Sequence, residues 1–449
     1  MKKLDVVIIW IFIIVLTSSI FNIVFSFYLI AFLLFIYLFT IDRLTVGVFL
    51  GLFFRPIAEY IGLVSQISFI NGKYVFLLGL FLIFSCGYKK SYNKFFLHGL
   101  PLFLSLFLII FLFYVIGPQS NYSNYKLTNF FLRGLPKIFF FFVLLTQKID
   151  CKKIVNLIFL TSILYITAIY NFELNSNFFF EYGVVRFKTF YANSHLIGNY
   201  PLIGIGILLG QWFYKEKIIP KSNNKILFIG HAVILILSIF ISGARQSIVF
   251  LILIPLITVL IYQKSFLKNL RFYLAIVIFS IAGIQYLYQS DISIINSTLN
   301  SSSVEESLNR VNEVNHSIKI IKNEPILGTG LGGFAEGLII QNKNKAFDSN
   351  LNRAFPHNII IEILTEMGFI GLFLLILFFF SQKDIRNFHN YISRSKFYIF
   401  PLFLAISLKY MISYDFSQSV EVFSFIIAYL TSYKITNNGH SRNSNIQQA

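Results

Sequence analysis

The chain has 449 residues, of which 56% are hydrophobic and only 12% charged, and its mean hydropathy is +0.73. A soluble domain carries about 25% charged residues, so soluble, disordered and fibrous proteins are excluded and a polytopic membrane protein remains. The 37 Lys and Arg residues exceed the 19 Asp and Glu residues, which gives a net charge of +18. In a membrane protein, the first question about this excess is which side of the bilayer each basic residue occupies.

Apolar segments near the length of a membrane span follow one another along the chain. We predict them at 5–20, 23–40, 44–62, 73–87, 97–116, 130–146, 153–170, 195–213, 225–241, 245–262, 270–288, 358–380, 397–413 and 418–433. A spanning segment must satisfy its own backbone, and the alternating pattern of a membrane barrel is absent. The predicted fold class is therefore all-α, a polytopic integral membrane helical bundle of about 12–14 transmembrane helices, with an uncleaved first helix rather than a signal peptide.

Short loops rich in Lys fix the expected orientation, with both termini in the cytoplasm. Three long polar stretches then lie outside: 117–129, 171–194 and 289–357. The longest divides the chain into a first transmembrane bundle (1–288), a large periplasmic loop with short helices (289–357), and a last bundle with a cytoplasmic tail (358–449). Within this loop, the apolar spacing predicts an amphipathic helix over 304–323, which Pro325 ends.

Five arginines belong to the outer side: Arg133, Arg186, Arg245, Arg310 and Arg353. Arg245 is the most informative, because it lies in a tight turn between two apolar runs, where a charge is costly unless it is paired or functional. Arg186 closely precedes Lys188, and Arg310 lies in the predicted loop helix. A guanidinium holds phosphate with a planar fork and stays charged, so these three arginines are candidate ligands of an anionic substrate. Anchoring at the membrane interface for Arg245, and a solvated loop charge for the other two, are the alternatives.

The sequence from His357 onwards marks the return of the chain into the membrane. Glu362 follows Asn358 by four residues and Glu366 follows Glu362 by four, so all three share one helix face. At about 1.5 Å per residue, Glu366 lies roughly 13 Å beyond His357, and an acid so deep must face the bundle or water. His357 is a candidate general base, because imidazole titrates near neutral pH; a helix cap is the alternative. For the two glutamates, a structural role that orients their neighbours is favoured.

Two patterns that could hold a cofactor do not support one. The Gly-rich run 323–334 is not followed by Gly-Lys-Ser/Thr and has no strand–helix unit around it, so it does not fit a nucleotide-binding P-loop. Its glycines are expected to let the loop fold tightly onto the bundle. Cys86 and Cys151 form neither a Cys-x-x-Cys pair nor a cluster with zinc spacing. We therefore expect no cofactor and no metal.

Arginines on the outer face, beside a histidine at a helix mouth, suggest an anionic substrate anchored in the membrane. There is no ATP supply outside the cytoplasm, and group transfer there commonly uses a lipid-linked pyrophosphate as the activated donor. The arginines would stabilise the charge that develops on the departing pyrophosphate. A base would take the proton from an incoming sugar hydroxyl.

Four short motifs between 186 and 371 carry a resemblance to a known family. Three of them are Pro325-Ile326-Leu327-Gly328-x-Gly330-x-Gly332-x-Phe334, His357-Asn358-x-x-x-Glu362 with Glu366-x-Gly368-x-x-Gly371, and the small-residue turn Ser242-Gly243-Ala244-Arg245. The fourth, 186–195, is similar to Arg-x-x-Gly-x-Phe-x-x-Pro-Asn, with Thr189 in place of the usual Gly and His195 in place of Asn. Together they resemble the motifs of the O-antigen ligase and O-antigen polymerase superfamily.

The resemblance implies a large all-helical, GT-C-like glycosyltransferase fold that uses undecaprenyl-pyrophosphate-linked glycans as donors and needs no metal. It implies pyrophosphate binding by Arg186, Arg245 and Arg310, activation or orientation of the acceptor hydroxyl by His357, and inversion at the anomeric carbon. The expected partners are the lipid-linked oligosaccharide, the lipid bilayer and a chain-length regulator, with no nucleic acid. The expected location is the bacterial inner membrane, with a periplasmic active site. The supporting residues are Asn358, Glu362, Glu366 and Lys188.

Two activities share this signature and differ in the acceptor. A polymerase extends another lipid-linked repeat unit, whereas a ligase transfers the finished glycan to lipid A–core. We expect a polymerase, because chains of this length that are rich in Phe, Ile and Asn resemble surface-polysaccharide polymerases. A polysaccharide flippase or transporter is a more remote alternative, since most charges lie in loops and the longest loop is on the outside.

Overall fold

All regular structure in the described part of the chain is helical. A computed structural model describes residues 23–54, 72–86, 89–147, 149, 151–172, 194–213, 223–241, 245–262, 301–341, 356, 358–381, 399–413 and 420–432, and these contain no β-strand. The helices are α1 (Ile23–Thr40), α2 (Arg43–Phe49), α3 (Gly72–Ser85), α4 (Lys89–Ile116), α5 (Asn121–Thr146), α6 (Cys151–Phe172), α7 (Ser194–Phe213), α8 (Asn223–Ile241), α9 (Arg245–Tyr262), α10 (Ser301–Asn323), α11 (Gly333–Gln341), α12 (Ile359–Phe380), α13 (Ile399–Ser413) and α14 (Val420–Ser432).

Three of these helices are long and apolar enough to cross a membrane: α4 over Phe95–Ile116, α5 and α12. Several shorter apolar helices accompany them, and a π-helical turn, Leu50–Phe54, follows α2. The all-α, polytopic fold class is therefore confirmed. The bounds of α1 and α9 equal the predicted segments 23–40 and 245–262. The predicted spans at 5–20 and 270–288 lie outside the described residues.

Helix α5 departs from the prediction. The sequence placed 117–129 in an outer loop and began the span at 130, whereas α5 begins at Asn121, with the hydroxyl of Ser120 capping it by accepting the N–H of Ser123 at 3.2 Å. The physical reason is that polar side chains in its first turns, Ser123 and Lys126, are buried and bonded inside the protein. Hydropathy counts the polarity of a residue and takes no account of its partner.

The first compact unit comprises residues 1–87, 148–301 and 397–405. Within it, α1, α6 and α8 meet at a buried polar junction. The side-chain amide of Asn156 donates to the hydroxyl of Tyr37 at 3.2 Å, and its oxygen lies 3.1 Å from Nε2 of His231. Hydrogen bonds of this kind between membrane helices contribute about 0.6–2 kcal/mol each, so the junction helps to fix the three helices against one another.

The second compact unit comprises residues 88–147, 302–396 and 406–449. In this unit, Phe130 of α5 stacks on Phe103 of α4 with 6.0 Å between ring centroids, and packs on Phe423 of α14 at 6.3 Å. Lys137 of α5 donates to the carboxylate of Glu421 in α14. Helix α5 therefore has packing partners in both the preceding and the last described helix.

Helices α10 and α11 fall in the segment predicted as the large outer loop. The amphipathic helix expected over 304–323 is confirmed as α10, which ends two residues before Pro325. Phe334 and Ala335 of α11 form a small apolar cluster with Tyr122 of α5, and the ring of His316 in α10 lies 5.3 Å from that of Phe334. These contacts dock α11 on the start of α5 and pack α10 against α11. The division of the chain at 289 and 357 stays a prediction.

Helix α12 is interrupted halfway along its length by Gly368. This residue has φ 61° and ψ −167°, values outside the helical region. The N–H groups that follow it turn away from the helix: Phe369 donates to the carbonyl of Pro325 at 2.8 Å, and Ile370 to that of Ile326 at 3.1 Å. The Gly-rich loop (residues 324–332) thus supplies acceptors for donors that the interruption would otherwise leave without partners.

The same loop also satisfies the freed acceptor of α12. The carbonyl of Thr365 accepts from the backbone N–H of Thr329 at 2.9 Å and from its hydroxyl at 3.2 Å. Gly328 has φ 66°, and a Cβ at this position would lie 2.6 Å from the Thr365 carbonyl oxygen. Glycine is therefore required here both for the backbone conformation and for the close approach.

The other end of the Gly-rich loop fits against the junction of α4 and α5. Gly330, with φ 78°, packs so closely on Gly117 that a Cβ on it would overlap the Gly117 backbone. Leu331 donates its N–H to the carbonyl of Phe113 at 2.9 Å, and its carbonyl accepts the hydroxyl of Ser123 at 2.6 Å. The expectation that these glycines let the loop fold tightly onto the bundle is confirmed.

Substitution of Gly330 by Ala is expected to lower the free energy of unfolding by about 2–5 kcal/mol, because the change combines a strained positive φ with overlap on Gly117. The measurement is thermal denaturation of the detergent-purified protein. Gly230→Ala is the matched control, since a Cβ there meets nothing within 4 Å and alanine in a helix is favoured by up to about 1 kcal/mol. Equal melting temperatures for the two variants would contradict the role assigned to the Gly330 contact.

Candidate active site

The start of α12 is fixed by its own N-cap. The side-chain oxygen of Asn358 accepts the N–H of Ile360 at 2.9 Å and that of Ile361 at 3.2 Å, while its backbone is extended. Asparagine is among the preferred residues at this position, and such a cap is worth about 1 kcal/mol. The cap makes the backbone at Asn358 a defined end of the helix, and His357 is its immediate neighbour in the chain.

A buried ion cluster joins this part of α12 to α5. The cluster consists of Lys126, Glu362 and Glu366, whose side chains are 1%, 1% and 2% exposed. The ammonium group of Lys126 donates to Oε1 of Glu362 and, at 2.7 Å, to Oε1 of Glu366. The spacing of four residues brings the two carboxylates to one face of α12, as the sequence predicted. We call this set the Lys126 cluster.

An aromatic ring completes the surroundings of the ammonium group. The Nζ atom of Lys126 lies 4.9 Å from the centroid of the Tyr122 ring, one helical turn earlier in α5. A cation over an aromatic face is attracted by about 0.5–2 kcal/mol, and more strongly when water is excluded. The favourable contacts therefore come from two sides, from the carboxylates of α12 and from a ring of α5 itself.

The predicted supporting residues Asn358, Glu362 and Glu366 are the ones that the structure describes in full. Arg245 is the first residue of α9, and Arg310 lies within α10, but their side chains are outside the described part of the structure. His357, Arg186 and Lys188 lie outside the described residues. The contacts of the two glutamates agree with the structural role that the sequence favoured for them, because both bind a lysine of another helix. The roles of the three arginines and of His357 stay predictions.

Lys126 is the site residue that the sequence reasoning missed. It lies in the stretch assigned to an outer loop, where a lysine is expected to be solvated. Two features of the sequence indicate this lysine. Two glutamates on one face of an apolar helix require a cation or a proton. In addition, Tyr122, Lys126 and Phe130 recur at the helical spacing of four residues, which is typical of one face of a helix. Among the described residues, no three His, Cys, Asp or Glu side chains come together as a metal site would require.

These observations define the class of the protein: an all-α membrane protein that carries a buried ion cluster at the capped start of a broken helix. Residues 230–376 match the family model described as O-antigen ligase, and this match supports the resemblance to the O-antigen ligase and O-antigen polymerase superfamily that the motifs predicted. The matched segment contains the Arg245 turn, the Gly-rich loop and the start of α12, but not the 186–195 stretch. No curated protein matches the chain.

The match supports a ligase or polymerase activity of the glycosyltransferase type. It also supports a lipid-linked oligosaccharide as substrate and a membrane as the setting. The motif glycines of the matched segment have a structural explanation in this chain, because they allow the Gly-rich loop and the interrupted helix to interlock.

Replacement of Lys126 by Met is expected to lower the free energy of unfolding by about 3–5 kcal/mol, because two buried carboxylates lose their cation. Thermal denaturation in detergent measures the change. The added substitutions Glu362→Gln and Glu366→Gln should recover most of the loss, since they remove the uncompensated charge. Lys319→Met, at an exposed lysine of α10, is the control; a melting temperature lowered equally by both single variants would contradict the importance of the cluster.

Proposed function

We propose that the protein is a surface-polysaccharide polymerase that acts on the periplasmic face of the bacterial inner membrane. It transfers an undecaprenyl-pyrophosphate-linked glycan to the terminal sugar hydroxyl of another lipid-linked repeat unit. The observation that carries the proposal is the match of residues 230–376 to the O-antigen ligase family, because it includes the predicted cation, Arg245, and the predicted base, His357, in one segment.

The donor is an anion, and the proposed ligands of its pyrophosphate are Arg245, Arg186 and Arg310. Guanidinium groups bind phosphate oxygens through two parallel hydrogen bonds and cannot lose their proton. Arg245 begins α9, and the helix N-terminus adds a partial positive charge of its own. These groups would bind the donor and would also stabilise the negative charge that increases on the pyrophosphate as it leaves.

The proposed reaction is a single displacement that needs no metal. The acceptor hydroxyl oxygen attacks the anomeric carbon, the bond from that carbon to the pyrophosphate oxygen breaks, and undecaprenyl pyrophosphate leaves with the electron pair. His357 receives or orients the hydroxyl proton. Attack opposite the leaving group inverts the anomeric configuration. The cap at Asn358 supports this role, because it fixes the helix end next to His357.

The distribution of charge supports the proposed orientation. The Lys-rich short loops mark the cytoplasmic side together with both termini, and the segment with the candidate site then faces the periplasm. A chain-length regulator is a further proposed partner in this setting.

A ligase is the second candidate, because the matching family model is described by that activity. In a ligase the same donor site and base would serve, and lipid A–core would replace the second repeat unit as the acceptor. The two candidate activities therefore differ in the acceptor molecule, while the transfer reaction is the same.

Alanine at His357 or Arg245 is expected to reduce polysaccharide synthesis at least about 100-fold, since each removes a group assigned to proton transfer or to charge stabilisation. The measurement is the polysaccharide profile of cells that produce each variant at wild-type level. His98→Ala and Arg133→Ala serve as controls, because neither residue is assigned to the site. Full-length polysaccharide from the His357 and Arg245 variants would refute the proposed roles.

Deletion of the gene is expected to leave lipid A–core that carries a single repeat unit, because a polymerase is needed for extension but not for the first transfer to the core. Gel electrophoresis of lipopolysaccharide shows the difference directly. Wholly uncapped core, together with accumulated lipid-linked polymer, would identify a ligase instead.

A further inference from the structure

The N-terminal half of α12, residues 359–367, is joined to the rest of its helix across the interruption at Gly368. At Gly368 the backbone leaves the helical region, and the N–H groups of Phe369 and Ile370 bond to the Gly-rich loop instead of to the preceding turn. Two of the backbone hydrogen bonds that would join the C-terminal half of α12 to its N-terminal half are therefore missing. The orientation of 359–367 depends on the contacts that this half makes with its neighbours.

The Lys126 cluster is suited to fix that orientation. One ammonium group binds two carboxylates that are four residues apart, which is about 6 Å along the helix axis. Rotation of α12 by one residue, about 100°, would carry both carboxylates away from the lysine. The Tyr122 ring holds the ammonium group from the side of α5. The cluster thus fixes both the position of residues 359–367 along the helix axis and their rotation about that axis, relative to α5.

Stability alone is a weak reason to place three ionisable groups here. Buried ion clusters contribute little net free energy, and well-packed apolar residues of similar volume often replace them without loss. Helix α12 is apolar around the two glutamates, so such a replacement would suit its composition. Ionic hydrogen bonds differ from apolar packing in being directional, and direction is what a helix half beyond a break requires.

We propose that Lys126, acting through Glu362 and Glu366, is a positioning residue for glycan transfer. It holds residues 359–367 so that the capped end at Asn358, and with it the backbone that leads into His357, keeps the orientation that the reaction uses. The inference rests on the proposed function for its chemical readout. It adds a residue on a different helix, α5, which lies outside the segment that matches the family.

The decisive variant is neutral and close in shape to the wild type: Lys126→Met combined with Glu362→Gln and Glu366→Gln. It leaves no uncompensated charge and separates positioning from charge balance. A milder second variant, Glu366→Gln alone, keeps the Lys126–Glu362 pair and serves if the triple variant does not fold. The matched control is Lys137→Met with Glu421→Gln, which neutralises another ion pair on the same helix, α5.

Two measurements are made on each purified, monodisperse protein in lipid nanodiscs. Hydrogen–deuterium exchange followed by mass spectrometry reports the opening of amides 359–367, with peptides of α8, which carries none of the substitutions, as internal reference. Steady-state transfer with a purified lipid-linked oligosaccharide gives kcat and KM separately. For the triple variant we expect exchange at 359–367 to be at least tenfold faster, kcat to be lowered about 10–100-fold, and KM for the donor to stay within about twofold. Glu366→Gln should change both quantities in the same direction by a smaller factor, and the control should match the wild type.

Wild-type exchange at 359–367 or wild-type kcat in a folded triple variant overturns the proposal, and the same outcome for Glu366→Gln overturns it if the triple variant does not fold. An equal loss in the Lys137→Met, Glu421→Gln control also overturns it, because the effect would then be a general response to a lost ion pair. Wild-type protein that transfers no glycan would overturn the proposed function and the positioning role in transfer together. Activity in the wild type with an unaffected variant would overturn the positioning role alone.

Discussion

The interruption of α12 at Gly368 is the constraint on which the described part of the second unit depends. A break in a helix frees donors and acceptors that cost free energy when they are buried. Here the carbonyls of Pro325 and Ile326 and the N–H of Thr329 satisfy them. The Gly-rich loop is therefore a hydrogen-bonded substitute for the missing helical turn. These hydrogen bonds determine the backbone conformation of the loop, and that conformation requires glycine at the positions with positive φ.

Through these hydrogen bonds the loop and the helix form one structural unit, although the bonded residues are 36 or more positions apart in the sequence. The loop reaches α12 at one end and the α4–α5 junction at the other, where Gly330 meets Gly117. Helices α10 and α11 lie directly before and after the loop; α11 docks on the start of α5 through Tyr122 and Phe334, and α10 packs against α11. Residues 316–335 are thus held against the start of α5 and the α4–α5 junction at several points.

The Lys126 cluster orients the N-terminal half of α12, residues 359–367, relative to α5, which the interrupted backbone does less well by itself. Charges in an apolar helix are expensive unless each finds a partner, and in this cluster each one does. Such an arrangement suits the positioning role proposed for Lys126.

The sequence by itself determined the fold class, the bounds of helices such as α1 and α9, and the resemblance to the O-antigen ligase family, because these depend on apolar segment length and on local motifs. It also placed Glu362 and Glu366 on one face, since that follows from helical spacing alone. Only the tertiary structure decided that α5 begins at Asn121, that Lys126 is the partner of both glutamates, and that Gly368 breaks α12 against the Gly-rich loop. Each of these depends on a contact between residues far apart in the chain. A hydropathy profile scores Lys126 as a solvated charge, because the carboxylates that bury it are more than two hundred residues away.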